Sequence, residues 1–136
     1  MRDTLSSFLF ACPAHHTQHI AHTLFVSHEV VTGKLFISGG KGIIGYRVAL
    51  RLLNAGSPSV RVGLRHPEDE CAKELSEKGA EIAEFEWSDE ATYAPALEGV
   101  KIVFCVTPYI ENWAEKFPAF LAACEQAGVK YFVKVM

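Results

Sequence analysis

From Lys34 onward, apolar and polar positions fall into two alternating kinds of segment. Short apolar runs rich in β-branched and aromatic residues occupy 34–38 (KLFIS), 59–64 (SVRVGL), 80–86 (AEIAEFE), 101–106 (KIVFCV) and 130–135 (KYFVKV), and they predict five strands. Four longer segments with helical spacing lie between them. Each closes on a glycine, Gly56, Gly79, Gly99 or Gly128, a residue that ends helices without steric cost. In the first helical segment Ile44, Val48 and Leu52 recur every four residues and Ala49 and Leu53 widen the stripe, which predicts an apolar face packed on a sheet. In the second, Ala72 and Leu75 carry the contact and charged residues cover the rest. The fourth spaces Trp113, Phe117, Phe120, Leu121 and Cys124 along one side. Pro118 within it predicts a kink, or a helix that starts only there, and Pro95 raises the same question in the third segment.

A strand, a helix and a further strand in repeated order imply parallel pairing with right-handed crossovers. The expected fold is therefore α/β: a Rossmann-type doubly wound parallel sheet of about five strands ordered 3-2-1-4-5. The chain changes character near Gly33. Residues 1–33 hold five of the six histidines, only Arg2, Asp3 and Glu29 as charges, and no sustained period, so they read as an irregular leader before a nucleotide-binding domain over 34–136. His15, His19 and His22, with His16 adjacent, would share a face of a helix and suggest a metal site; without helix start signals or an acid to complete the set, the leader reading is preferred.

Composition narrows the function classes. With 136 residues the chain suits one modest domain, and 49% hydrophobic and 21% charged residues are ordinary for a folded protein. The net charge of -3 and scattered lysines and arginines argue against a nucleic-acid partner, and no apolar run is long enough to span a membrane. The cytoplasm is the expected location, with organelle targeting by the N-terminal stretch as the alternative. Four cysteines without a CxxC suggest neither a zinc site nor a disulfide framework. Cys105 and Cys124 read as core residues, while acidic neighbours of Cys71 disfavour its thiolate. Trp113, Phe117, Phe120 and Tyr109 read as helix packing, with the wall of a pocket as the alternative. No GxSxG elbow is present.

The candidate chemistry lies in SGGKGIIG, residues 38–45, between the first strand and the first helix. A loop at the carboxyl end of a strand that opens a helix presents free backbone amides and the positive end of the helix dipole to an anion. A Walker A loop is excluded, because Gly42 follows Lys41 where Ser or Thr is required and Leu35 stands five residues before Gly40. A dinucleotide loop fits in two registers: GxGxxG from Gly40, or GxxGxxG from Gly39. The end of the second strand bears on the cofactor. Arg65 and His66 stand there, with acids only from Glu68, so the site suits a 2'-phosphate better than a bare ribose and NADP is expected over NAD.

The stretches KLFISGGKGIIGYRVALRLLNAG, VRVGLRHPE, FEWSDEATYAPALEGVKIVFCVTP and FLAACEQAGVKYFVKVM together resemble the N-terminal half of the NmrA-like proteins, atypical members of the short-chain dehydrogenase/reductase superfamily. The resemblance covers about residues 34–136. It implies a Rossmann fold that binds NADP(H), with Gly39, Gly42 and Gly45 against the pyrophosphate and Arg65 near the 2'-phosphate. It also implies Glu86 and Trp87 beside the adenine, and Thr107 and Pro108 on the nicotinamide side. Gly40, Lys41, Ile43 and Ile44 complete the candidate loop. Lys41 stands where the family usually has a small residue, and either touches the pyrophosphate or points to solvent; Glu86 stands where Asp is more usual.

Family members continue past the fifth strand, and their later part supplies the substrate pocket and, in the reductases, a catalytic lysine or tyrosine. A chain ending on KYFVKVM is expected to be a fragment truncated after its fifth strand, with an apolar edge strand open to association. Lys134, on that strand, reads as structural. The expected function is the NADP(H)-binding portion of an oxidoreductase, not catalytic alone. A regulatory protein that senses the NADP redox state and an inert truncated product are the alternatives.

Overall fold

The computed structural model describes residues 33–57 and 59–135. Five strands, β1 (Lys34–Ile37), β2 (Val60–Leu64), β3 (Glu81–Glu84), β4 (Val100–Val106) and β5 (Tyr131–Val135), form one sheet in the order β3-β2-β1-β4-β5. Every pairing is parallel. Helices α1 (Ile43–Asn54), α2 (Glu70–Glu77), α3 (Tyr93–Leu97) and α4 (Trp113–Ala127) connect them, with a single 3-10 turn, Glu90–Thr92, leading into α3. This is the doubly wound order expected from the sequence. The expected leader over residues 1–33, with its histidines, lies outside the described residues except for Gly33.

Side chains of successive strand residues point to opposite faces, so each inner strand contributes to two cores. Phe36 joins Phe85, Trp87, Tyr93, Leu97 and Phe120 on the face covered by α3 and α4. Ile37 joins Val60, Val62, Ala49, Ala72 and Leu75 on the face covered by α1 and α2. In β4 the alternation slips once, where the register against β1 shifts between Lys34 and Leu35 and Lys101 is left over. Beyond that bulge Val103 and Cys105 face the aromatic core and Phe104 the aliphatic one.

The aromatic core is built around Phe85. Its ring lies 5.2 Å from Phe36, 5.0 Å from Trp87, 5.5 Å from Tyr93 and 5.4 Å from Phe120, mostly edge to face. The buried Tyr93 hydroxyl donates to the Trp87 carbonyl at 2.6 Å, and burial pushes its pKa up to about 12. Tyr93→Phe is expected to lower unfolding free energy by about 1–2 kcal/mol, because a buried carbonyl loses its donor. Urea denaturation checks this; unchanged stability would show that the bond contributes nothing net.

Several details of the helices differ from the sequence expectation or resolve it. Ile44 is 43% exposed and its neighbour Ile43 80%, so the apolar stripe of α1 begins one turn later than the spacing suggests. Leu121 is 38% exposed at the edge of its stripe. Pro118 lies inside α4, which runs from Trp113 instead of starting at the proline. Pro95 is the third residue of α3, within the first turn, where a backbone N–H has no helical partner to lose. Tyr109 is fully exposed, apart from the aromatic packing it was grouped with, whereas Trp113, Phe117 and Phe120 do pack together.

Candidate functional site

The loop 38–42 leaves β1 where its two neighbours, β2 and β4, lead to opposite sides of the sheet. Ser38 closes the end of the strand: it is fully buried, its amide donates to Phe104 O at 3.1 Å, and its hydroxyl accepts from the Val106 amide at 2.9 Å. The chain then turns at Gly39, whose φ of 69° is a conformation that favours glycine. Gly40 donates to Gly63 O at 3.2 Å and lies against Val62, so the loop is pressed onto β2. Gly45 packs back on the loop, where a Cβ would stand 2.9 Å from the Gly39 carbonyl carbon and 3.2 Å from Ser38 O. Gly39 by its positive φ and Gly40 by its close approach to Val62 each call for glycine, so the geometry accommodates both the GxxGxxG and the GxGxxG register.

Gly42 is the N-cap of α1 and has no side chain with which to cap it; the first turn contains no acid either. The first bond of the helix runs from the Tyr46 amide to Gly42 O at 3.0 Å, so the amides of Ile43, Ile44 and Gly45 precede the hydrogen-bond ladder. Three N–H groups and the positive end of a 12-residue helix are thus left for an anion.

Beside this loop is a small cleft of about 160 Å³, walled by Gly39–Gly42 on one side, by Gly63, Leu64 and Arg65 at the end of β2, and by Phe85, Glu86 and Trp87 at the end of β3. Trp87 is 7% exposed and serves both as cleft wall and as a member of the aromatic core. Glu86 and Arg65 form an ion pair through Arg65 Nε and Glu86 Oε2, with Nη2 3.4 Å from Oε1. The Ser88 amide donates to Glu86 Oε1 at 3.2 Å. The Lys41 ammonium donates to Asp69 Oδ2 at 2.7 Å, with the lysine side chain 70% exposed. That hydrogen bond raises the Lys41 pKa and lowers that of Asp69.

Thr107 and Pro108 follow β4 at the same end of the sheet. The Thr107 amide and hydroxyl both donate to Val135 O, at 3.0 and 2.9 Å, so this residue secures β5. It stands next to Val106, which lies against Gly39, and so on the side of the loop away from the Arg65 cleft. The structure therefore brings Gly39, Gly40, Lys41, Gly42, Arg65, Glu86 and Trp87 around one cleft and sets Thr107 and Pro108 across the loop from it.

A larger depression, about 390 Å³, is lined by Arg61, Glu81, Thr92 and Pro95. Size does not make it the better candidate, because it lies along the edge strand β3 and not beside the loop at the carboxyl end of β1, where ligands of open α/β sheets bind. Arg61 donates to Ala96 O at 2.7 Å, to Glu98 O at 2.8 Å and to Glu81 Oε1 at 3.0 and 2.7 Å, and Lys34 donates to Glu81 Oε2 at 2.6 Å.

Sequence reasoning missed Ser38, Asp69 and Arg61. A signal existed for Asp69, an acid immediately before a helical segment, and for Arg61, a charge inside a strand otherwise apolar. None existed for the bridging role of Ser38. The cysteines behave as read: burial pushes the thiol of Cys105 up to about 11 and that of Cys124 to about 12. Cys71 also rises, through burial first and then the charge of Glu74. Lys134 extends over two rings, 4.9 Å from the centroid of Phe117 and 5.6 Å from that of Trp113. Among the described residues no group of three or more His, Cys, Asp or Glu is arranged to hold a metal, and no helix is long and apolar enough to cross a membrane.

Residues 31–134 match the model of the NmrA-like family. An NAD(P)H azoreductase of Xenophilus azovorans is 33% identical over 99 residues, covering 73% of this chain and 34% of the relative. A (4-alkanoyl-5-oxo-2,5-dihydrofuran-3-yl)methyl phosphate reductase of Streptomyces griseus is 35% identical over 102 residues, covering 74% and 33%. The fold is shared with the triphenylmethane reductase of Citrobacter sp., solved with NADP(H), at a TM-score of 0.65 and 20% identity over 74% of this chain and 36% of that one. It is shared also with an NADPH-dependent quinone oxidoreductase of Escherichia coli, at 0.64 and 23%, over 74% and 35%. The chain spans about a third of the length of the relatives it matches.

Proposed function

The chain belongs to the NmrA-like family, and on that premise we propose that its glycine loop and adjoining cleft bind NADP(H), as the dinucleotide-binding portion of an oxidoreductase. The observation that carries this reading is the uncapped start of α1 beside a cleft bearing an arginine. The amides of Ile43, Ile44 and Gly45 hold the pyrophosphate, and the lack of side chains at Gly39 and Gly42 lets it approach the backbone. The cleft is smaller than the roughly 300–1,000 Å³ typical of whole-ligand sites. It takes the adenosine end only, with Trp87 and Glu86 beside the base and Arg65 near the 2'-phosphate. The nicotinamide end runs across the loop toward Thr107 and Pro108.

Bound NADP(H) supplies two-electron redox chemistry at its nicotinamide ring. This chain's residues bind and orient it. Lys134 is engaged with the rings of α4 and burial pushes the thiols of Cys105 and Cys124 up, so none of the three is poised as an acid or base, whereas Tyr109 and Glu111 stand exposed just beyond Pro108.

Titration of NADPH and NADH against the fluorescence of Trp87 and Trp113 tests the reading. Saturable change with NADPH tighter is expected, and Arg65→Ala should weaken NADPH about tenfold and NADH much less. No change with either dinucleotide would reject the cofactor, and tighter NADH would reject the role given to Arg65.

A further inference from the structure

Both cations that line the cleft are already held by acids: Lys41 by Asp69, and Arg65 by Glu86. The second pair matters more, because Arg65 is the group a 2'-phosphate would need. We propose that Glu86 is a specificity-determining residue that opposes Arg65, competing for its guanidinium and so narrowing the preference for a 2'-phosphorylated nucleotide over one with a free 2'-hydroxyl. The inference rests on the dinucleotide reading above.

Of the two partners, Glu86 is the fixed one. Its carboxylate accepts from the Ser88 amide at 3.2 Å and its amide donates to Thr92 Oγ1 at 3.1 Å, while the Thr92 hydroxyl, donating to Asp89 O at 2.7 Å, is itself held in place. Its side chain is 21% exposed against 64% for that of Arg65, which stands just beyond the end of β2 and is free to swing. A phosphate entering the cleft must draw Arg65 away and tolerate a carboxylate beside it. A hydroxyl meets neither penalty, since a carboxylate accepts its hydrogen bond. The same acid thus disfavours one ligand and suits the other.

The test uses two probes that differ only at the 2' position, adenosine 2',5'-bisphosphate and adenosine 5'-monophosphate, titrated calorimetrically into the chain and its variants. Glu86→Gln keeps the size of the side chain and an acceptor for the Ser88 amide. It should raise the ratio of bisphosphate to monophosphate affinity about three- to fivefold, the range open to an exposed ion pair. On an Arg65→Ala background the gain should shrink, because only the repulsion between carboxylate and phosphate is then relieved. A ratio unchanged or lowered in Glu86→Gln, or a gain just as large without Arg65, overturns the proposal while leaving the cofactor reading intact. Failure of the unsubstituted chain to bind either probe, or NADPH, overturns both.

Discussion

Replacing Gly45 with alanine is expected to lower stability by about 2 kcal/mol and to weaken NADPH binding by at least about tenfold. The sign is the informative part. Gly45 lies in the first turn of α1, and at an ordinary helical position alanine would be favoured over glycine by roughly 1 kcal/mol. Here the added methyl would meet the carbonyl group of Gly39 and, 3.2 Å away, Ser38 O. These are backbone atoms of the loop itself, so relief requires the loop to move off the start of the helix, and the three free amides lose their common aim. Gly42→Ala is the control: its Cβ would meet only Gly39 O at an ordinary 3.4 Å, and the residue has φ of -74°. It should fold with little loss. Denaturant melts and NADPH titrations of both variants decide the matter; a Gly45→Ala protein as stable as its parent would contradict the packing described for the loop.

A second large effect is expected away from the cleft. Arg61→Ala should cost about 3 kcal/mol, toward the low end for breaking a buried ion pair because Glu81 remains half exposed and can be rehydrated. The loss has two parts. The carbonyls of Ala96 and Glu98, at the end of α3, lose a donor, and Glu81 loses one of its two cationic partners. Arg61→Lys should be intermediate, since one ammonium cannot reach all three acceptors.

The same cluster gives a pH dependence. The Glu81 carboxyl is held below its ordinary value of 4.5, first by the hydrogen bond from Lys34 and then by that from Arg61. A depressed folded-state pKa contributes stability above the unfolded value and loses it as pH falls through the folded one. The stability difference between Arg61→Ala and the parent should therefore be largest near neutrality and shrink below about pH 4.5. A difference constant from pH 7 to pH 3 would remove Glu81 from the account.

How much was legible in the sequence depended on whether the signal was local. The strand order followed from alternation of short apolar runs with helical segments, and every strand appears within two residues of the expected bounds at its start. The glycine loop was equally plain, because its purpose lies in the backbone. Less plain was why four glycines are needed: Gly39 for its positive φ and Gly40 for its contact with Val62 are separate demands that the sequence does not distinguish. What stayed hidden was pairing over distance. Lys41 and Asp69 are 28 residues apart, Arg65 and Glu86 21, and Ser38 and Val106 68. The pairing of Lys41 with Asp69 was hidden because nothing in the local pattern joins two residues so far apart. Ile44 failed for a related reason, since at the first turn of α1 the helix has not yet come down on the sheet.

Backbone amide shifts on titration with NADPH test the central claim most directly. Perturbations should concentrate at residues 39–45, at Arg65, at Glu86 and Trp87, and at Thr107, with the Ile43, Ile44 and Gly45 amides among the most affected. Saturable shifts confined to the depression around Arg61, Glu81 and Pro95, or no shifts at all, would contradict the assignment of the glycine loop as a dinucleotide site.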